Sequence, residues 1–305
     1  MTSFQLARLF LLNVFCSSIY SFTQSANSYQ TIKLEMKNVE PNHPKIFSKF
    51  SEDTSVITGG KSDSATQIGI IELRNYVIKH AMRDSFIHYF EENFIAPQEQ
   101  LKGHLLGQYR VKGFEDNFCW IRGFKNMSER SAFLPAFYYG PVWNQHKAVA
   151  NSMLANNDNV YLLKPMMLRN DSLSPAEFIN RSQLFPGKGI AVVDFYIANS
   201  KLDQLLKLFS KEYLPLIKEC GVQNISLWTS VLKENDFPRL PVFQDKNLLV
   251  TISFYKNELE YVEMMKKINL KTPEDLKSSL QDIITIKNTM FLYPTEKTSS
   301  QKLSQ

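Results

Sequence analysis

Twice along this 305-residue chain the hydrophobic pattern runs through one series of periods: alternating, helical, alternating, alternating, helical, alternating. In the first pass Gln67–Ile78 (QIGIIELRNYVI) alternates as a strand does, and Lys79–Asn93 brings Met82, Phe86, Tyr89 and Phe90 onto one helical face. Leu105–Val111 and Phe118–Phe124 read as strands. Lys125–Tyr139 and Pro141–Met153 read as helices parted by Gly140, and Val160–Lys164 closes the unit. The second pass has strands at Ile190–Ile197, Ile225–Val231, Leu248–Tyr255 and Thr289–Tyr293. Its helices are Asn199–Leu214, with Leu202, Leu205, Leu206 and Phe209 aligned, then Glu258–Lys267 and a further helix opened by Thr272–Pro273–Glu274. Small rhymes fix the register: NVYLLKP (Asn159–Pro165) against NTMFLYP (Asn288–Pro294), Tyr76 against Tyr196, and Phe124–Lys125–Asn126 against Tyr255–Lys256–Asn257. The expected fold is α+β. It consists of tandem ferredoxin-like repeats, two four-stranded antiparallel sheets with helices outside.

A four-stranded sheet with both helices on one face leaves its other face to be covered. Two such units can cover each other and enclose a barrel-like lumen. Alternation along the strands then assigns Ile71, Leu73 and Val77 to the helix side, and Glu72, Arg74 and Tyr76 to the lumen. The same step sends Leu106, Gln108 and Arg110, then Phe118, Trp120 and Arg122, inward. From the second unit it adds Asp194 and Tyr196, Trp228 flanked by Ser226 and Ser230, and Thr251 and Ser253. An enclosed wall of aromatics with a few convergent charges is the usual form of a small-molecule site. The competing reading is that Glu72 and Arg74 merely pair while the aromatics fill the barrel.

The flanks carry no such pattern. Residues 1–23 (MTSFQLARLFLLNVFCSSIYSFT) have the order of an export signal: a head with Arg8, an apolar run Leu9–Cys16, and small residues Ser21 and Thr23 before Gln24. The run is shorter than the ~20 residues a membrane helix needs, so the mature protein is expected to be periplasmic or secreted, with no membrane segment. Residues 24–66 read as a flexible leader, 67–166 as the first domain, 167–188 as a linker with a short helix capped at Ser174–Glu177, 189–294 as the second, divergent domain, and 295–305 as a disordered tail. Basic residues number 35 against 30 acidic ones with no basic stripe, which argues against a nucleic-acid surface. The three cysteines, Cys16, Cys119 and Cys220, form no CxxC and no zinc set; whether the last two pair is open.

The stretches IELRNYVI, FIAPQE (Phe94–Glu99), FCWIRGF (Phe118–Phe124) and FYYGPVW (Phe137–Trp143) resemble the NIPSNAP family of the dimeric α/β-barrel superfamily. The resemblance covers Ile71–Pro165; the second half shares the order of elements but not these motifs. It implies a ferredoxin-like barrel. Its wider relatives include cofactor-free quinol mono-oxygenases, haem-binding enzymes and pure binding modules, so it implies a fold more firmly than an activity.

The first expectation for function is a binding module for an aromatic or anionic small molecule, held by Arg74, Arg110, Arg122 and Gln108 against Tyr76, Trp120, Tyr196 and Trp228. The second is a cofactor-free mono-oxygenase acting on a phenol or quinol, with Glu72 or Asp194 as base. A carboxylate beside an arginine is a weak base, which counts against Glu72. A haem enzyme ranks third, because no histidine falls on the inward strand positions and His146 reads as a core residue. A protein-interaction surface at FYYGPVWNQH is last, since aromatics at a helix break usually pack the two segments together. No cofactor or metal is expected. A homodimer is left open.

Overall fold

The computed structural model describes residues 66–170, 172–180 and 189–300. The expected export signal and nearly all of the leader lie outside the described residues. No described helix is long and apolar enough to cross a membrane.

The first half runs β1 (Gln67–Ile68), β2 (Ile70–Ile78), α1 (Arg83–Asn93), α2 (Ile95–Gln100), β3 (His104–Val111), β4 (Phe114–Phe124), α3 (Met127–Tyr138), α4 (Pro141–Met153), β5 (Leu154–Asn156) and β6 (Val160–Arg169). Two short strands follow, β7 (Ser172–Pro175) and β8 (Ile179–Asn180). The second half runs β9 (Ile190–Ala198), α5 (Leu202–Leu208), a π-helical turn at Phe209–Tyr213, α6 (Leu214–Glu219), β10 (Ile225–Ser230), β11 (Leu248–Tyr255), α7 (Glu258–Lys271), α8 (Glu274–Ile283), β12 (Ile284–Pro294) and α9 (Glu296–Ser300).

Eight strands close one antiparallel barrel in the order β2-β4-β3-β12-β9-β11-β10-β6, with β6 pairing back to β2. Within each half the neighbours stand fourth, first, third, second, the ferredoxin-like order. The halves meet at two seams. At one, Leu292 faces Val111 and Pro294 faces Tyr109. At the other, Leu227 faces Met166 and Ser230 faces Leu163. The expectation of two separate sheets laid face against face is corrected accordingly: the edges pair instead, so every long strand has two neighbours and no barrel edge is left exposed.

The local chemistry of the two halves matches at points the hydrophobic pattern did not reveal. Asn126 caps α3 by accepting from the Glu129 backbone N–H at 3.0 Å, and Asn257 caps α7 by accepting from that of Glu260, also at 3.0 Å. Each glutamate reaches back to the backbone N–H of the residue before the cap, Lys125 and Lys256 respectively, a variant of the capping box displaced by one residue. Each half also opens on a glycine pressed against the end of its third strand. A Cβ on Gly69 would stand 2.2 Å from the Lys125 carbonyl oxygen, and one on Gly189 2.1 Å from that of Tyr255, at a φ of +86°.

Both faces of the barrel strands are buried. Ile71, Leu73, Tyr109, Cys119, Ile121, Leu163, Val193, Phe195, Trp228, Val250, Ile252 and Leu292 pack together inside. On the outside, Tyr76, Phe118, Trp120 and Phe124 pack under the helices of the first half, and Val192, Tyr196, Leu249 and Tyr255 under those of the second. Eight strands leave an interior that side chains can fill.

Two further expectations are corrected. Ser172–Pro175 pairs with β6 as a strand, with Met166 opposite Pro175, where a capped helix was anticipated. The polar tail is ordered at least to residue 300, because Thr295 and Thr298 are buried against β3.

Candidate functional site

Three charged or aromatic side chains on β2 and three on β4 share one face, because Glu72 stands opposite Arg122, Arg74 opposite Trp120 and Tyr76 opposite Phe118. That face looks outward, towards α1–α4. The placement of Glu72, Arg74, Tyr76, Trp120 and Arg122 in the barrel lumen is therefore wrong by one face. Residues at odd positions of β2, Ile71 and Leu73, fill the lumen instead.

Glu72 is the centre of a buried charge cluster. One carboxylate oxygen, Oε2, accepts from Arg74 at 2.8 Å and from Arg122 at 2.5 and 3.0 Å, while Oε1 accepts from Arg130 on α3 at 2.8 Å. All four side chains are fully buried. Burial alone would raise the Glu72 carboxyl, but the guanidiniums of Arg122, Arg74 and Arg130 outweigh it and hold the group far below the usual carboxylate range. Glu72 is thus fixed as an anion, a poor base. Arg130 also donates to Asp236 at 3.0 Å. Three guanidiniums against two carboxylates leave one positive charge in excess.

The excess charge stands behind a cavity of about 350 Å³ between the sheet and α1–α4. Its inner wall is Tyr76, Phe86, Phe90, Phe94, Gln98, Trp120 and Phe137, all buried. The Arg74 Nε donates to the Tyr76 hydroxyl at 2.9 Å, and its guanidinium lies 5.2 Å from the Trp120 ring centre. The Tyr76 oxygen is therefore already an acceptor, and its own proton is available to a further partner. Burial pushes this hydroxyl up to about 12 against the lowering pull of Arg74, so it stays protonated at neutral pH. Trp120 Nε1 is buried and makes no hydrogen bond among the described residues. Two donor-bearing side chains thus stand in the wall, with the Arg74 guanidinium against both and Arg122 5.2 Å from the Trp120 ring centre.

The roof comes from the other half. The segment between β10 and β11 crosses over and places Phe237, Arg239 and Leu240 on the cavity. It is anchored by Arg130 to Asn235 and Asp236, by Ser131 to Asp236, and by Phe243, whose backbone N–H donates to the Val160 carbonyl at 2.7 Å. Phe237 lies 6.0 Å from the Tyr138 ring. FYYGPVW packs as its helix break suggested: Phe137, Tyr138 and Trp143 meet one another at 5.1 to 6.0 Å and wall the cavity. His146 has the Tyr89 hydroxyl as its partner at 2.7 Å.

The remaining anticipated residues are not gathered here. Gln108 also lies on the outer face, held by Thr298 on α9 through its Oε1 at 2.8 Å. Arg110 is partly exposed and pairs with Asp84 at 2.9 Å. Asp194 and Tyr196 face the helices of the second half, as do Thr251 and Ser253, around a separate cavity of only about 20 Å³. There Asp194 accepts from Thr289 at 2.5 Å. Of the anticipated ligand residues only Trp228 lies inside the barrel, where its Nε1 donates to Ser226 at 2.9 Å. Cys119 and Cys220 are both free and buried. Sequence reasoning missed the roof, since the segment after β10 has no hydrophobic period, and missed Lys147 because it stands among polar residues on the exposed side of α4.

A closed antiparallel barrel wrapped by helices defines a mixed α/β protein of the α/β-barrel class. Residues 71–166, which carry the cavity floor and all four of its helices, match the NIPSNAP family model and form a NIPSNAP domain. Among solved structures the chain is similar to a putative monooxygenase from Lactobacillus acidophilus NCFM, at 14% identity over 74% of this chain and 94% of that one, with a TM-score of 0.46. It is also similar to a NIPSNAP family protein from Agrobacterium tumefaciens, at 20% identity over 32% of this chain and 91% of that one, TM-score 0.29. A third is a heme-binding protein from Thermus thermophilus, at 10% identity over 77% and 94%, TM-score 0.44. No curated protein matches the chain significantly.

Proposed function

We propose that this protein binds a small aromatic molecule in the cavity between the outer face of β2 and β4 and the helices α1–α4. The observation that carries the reading is the pairing of an aromatic wall with two buried donors, Trp120 Nε1 and the Tyr76 hydroxyl, of which the first has no partner among the described residues. A buried donor left unmatched costs about 1–3 kcal/mol. A ligand oxygen accepting from it recovers that cost and is oriented by it. The volume of about 350 Å³ lies at the small end of the range for ligand pockets.

The mono-oxygenase alternative loses its two nominated bases. Glu72 is locked among guanidiniums away from the cavity lining, and Asp194 belongs to the other, far smaller cavity. The described lining contains neither a carboxylate nor an imidazole, so a binding role needs fewer additional assumptions. The matching pairing order and helix caps favour an internal duplication in which one copy kept a roomy cavity and the other closed up.

Isothermal titration of the protein with 2-naphthol tests the assignment. Saturable one-to-one binding is expected, and Trp120→Phe, which keeps a ring and removes the donor, should weaken it by about fivefold to tenfold, the worth of one hydrogen bond. Absence of a saturable signal from the unaltered protein, both with 2-naphthol and with its carboxylated analogues, would remove this reading. Export is part of the same proposal, from the order of charged, apolar and small residues in 1–23. Expressed with its full amino terminus, the protein should be recovered outside the cytoplasm with Gln24 first; recovery inside cells with residues 1–23 attached would refute it.

A further inference from the structure

The geometry points to a ligand with two poles: an acceptor oxygen at the cavity floor and an anionic group at the mouth, hence an aromatic acid. This rests on the cavity reading above and goes beyond it by naming the chemical class. The floor and mouth differ in kind. At the floor Tyr76 and Trp120 are buried. At the mouth Lys147 and Arg239 are exposed and line the same cavity, with Tyr139, which is 55% exposed, between solvent and interior.

The two mouth cations come from opposite halves of the molecule, Lys147 from α4 and Arg239 from the roof. Neither has an ion-pair partner among the described residues. Lys147 donates only to Asn144 at 2.8 Å, and Arg239 lies over the Tyr139 ring at 5.6 Å. Elsewhere on the surface, lysines and arginines do find carboxylates, as Arg110 finds Asp84 and Lys277 finds Glu274. No acidic side chain is among the described residues lining the cavity, so no lining carboxylate competes for these charges. A carboxylate there would be met by two cations, and the excess positive charge of the arginine cluster behind the floor adds to the attraction for an anion. The roof contributes one of the cations, so an anion at the mouth would also tie the roof to α4.

Three probes separate the possibilities by isothermal titration of the mature full-length protein: 2-naphthol, 2-naphthoate and 6-hydroxy-2-naphthoate. The acid bearing both groups is expected to bind at least ~10-fold tighter than 2-naphthol, as two charge-assisted contacts would give. That preference should shrink as salt rises from 50 to 500 mM, and fall to near one in the double variant Lys147→Gln, Arg239→Gln. 2-Naphthoate, lacking the floor oxygen, should bind more weakly than the hydroxy acid and be indifferent to Trp120→Phe. Equal affinity for 2-naphthol and the hydroxy acid would overturn the two-pole inference and leave the cavity reading standing. So would a double variant that weakens both probes alike. Failure of all three probes to bind would take the cavity reading down as well.

Discussion

Glu72→Gln is expected to cost about 3–5 kcal/mol of folding stability, the range for removing one member of a buried ion cluster. The change keeps the shape of the side chain but leaves Arg74, Arg122 and Arg130 fully buried with their shared anion gone. The new amide offers one neutral oxygen where the carboxylate offered two; beyond it Arg122 keeps Gln98, Arg130 keeps Asn235 and Asp236, and Arg74 keeps the Tyr76 oxygen. The same group sets a pH dependence. Its folded-state carboxyl titrates far below the ordinary 4.5, so the cluster stabilises the fold throughout the range above that value. The contribution drains away as pH falls through 4.5 towards the folded value, because the unfolded chain takes up the proton first. Urea unfolding of the two proteins at neutral pH and between pH 3 and 5 checks both parts. The variant should be the less stable at neutrality and the less sensitive to acid. A loss below ~1 kcal/mol with an unchanged acid limb would show that the arginines do not depend on the carboxylate.

The barrel interior yields the second large effect. Trp228→Ala should destabilise the protein by about 3–5 kcal/mol, as truncation of a buried large aromatic does. Trp228 is fully buried among Leu163, Phe195 and Val250, opposite Val250 on β11 and Pro165 on β6. Its partners belong to strands paired in a closed ring, so they cannot collapse into the space without breaking register. Part of the loss is also polar, since Ser226 surrenders the donor at 2.9 Å. A lowered urea midpoint at constant slope is the expected signature. A change smaller than ~1 kcal/mol would mean that the interior is loosely filled, and would reopen the lumen as a place for a ligand.

The contrast between these two sites explains what the sequence could and could not convey. The order of strands and helices was legible because each hydrophobic run kept a period of 2 or 3.6; the closing strands β6 and β12 carry the rhyming segments, though β12 begins at Ile284, ahead of the expected Thr289. Alternation also grouped Glu72, Arg74 and Tyr76 correctly on one face. It could not say which face turned inward. Seven residues in a row on β2, Ile70 to Tyr76, are buried, so exposure offers no phase, and a charged side chain is as well housed under helices as in a lumen when Arg130 arrives from a helix to pair with it. That arginine lies 58 residues away from Glu72 and belongs to another element. The roof and α9 escaped for a related reason: both are polar and aperiodic, and both are ordered by partners far along the chain. Thr298, for instance, is held by Gln108, 190 residues earlier.

Because β6 returns to β2 and β3 joins β12 within one polypeptide, the ring is completed without a second molecule. Its integrity should not depend on dilution, unlike that of a ring shared by two identical chains. A shared ring would also write every substitution into both flanks at once. Here the flanks are released from that constraint. One flank holds the roomier chamber with Lys147 and Arg239 on its lining, while the other holds a small one beside Asp194 and supplies the strap that roofs its neighbour.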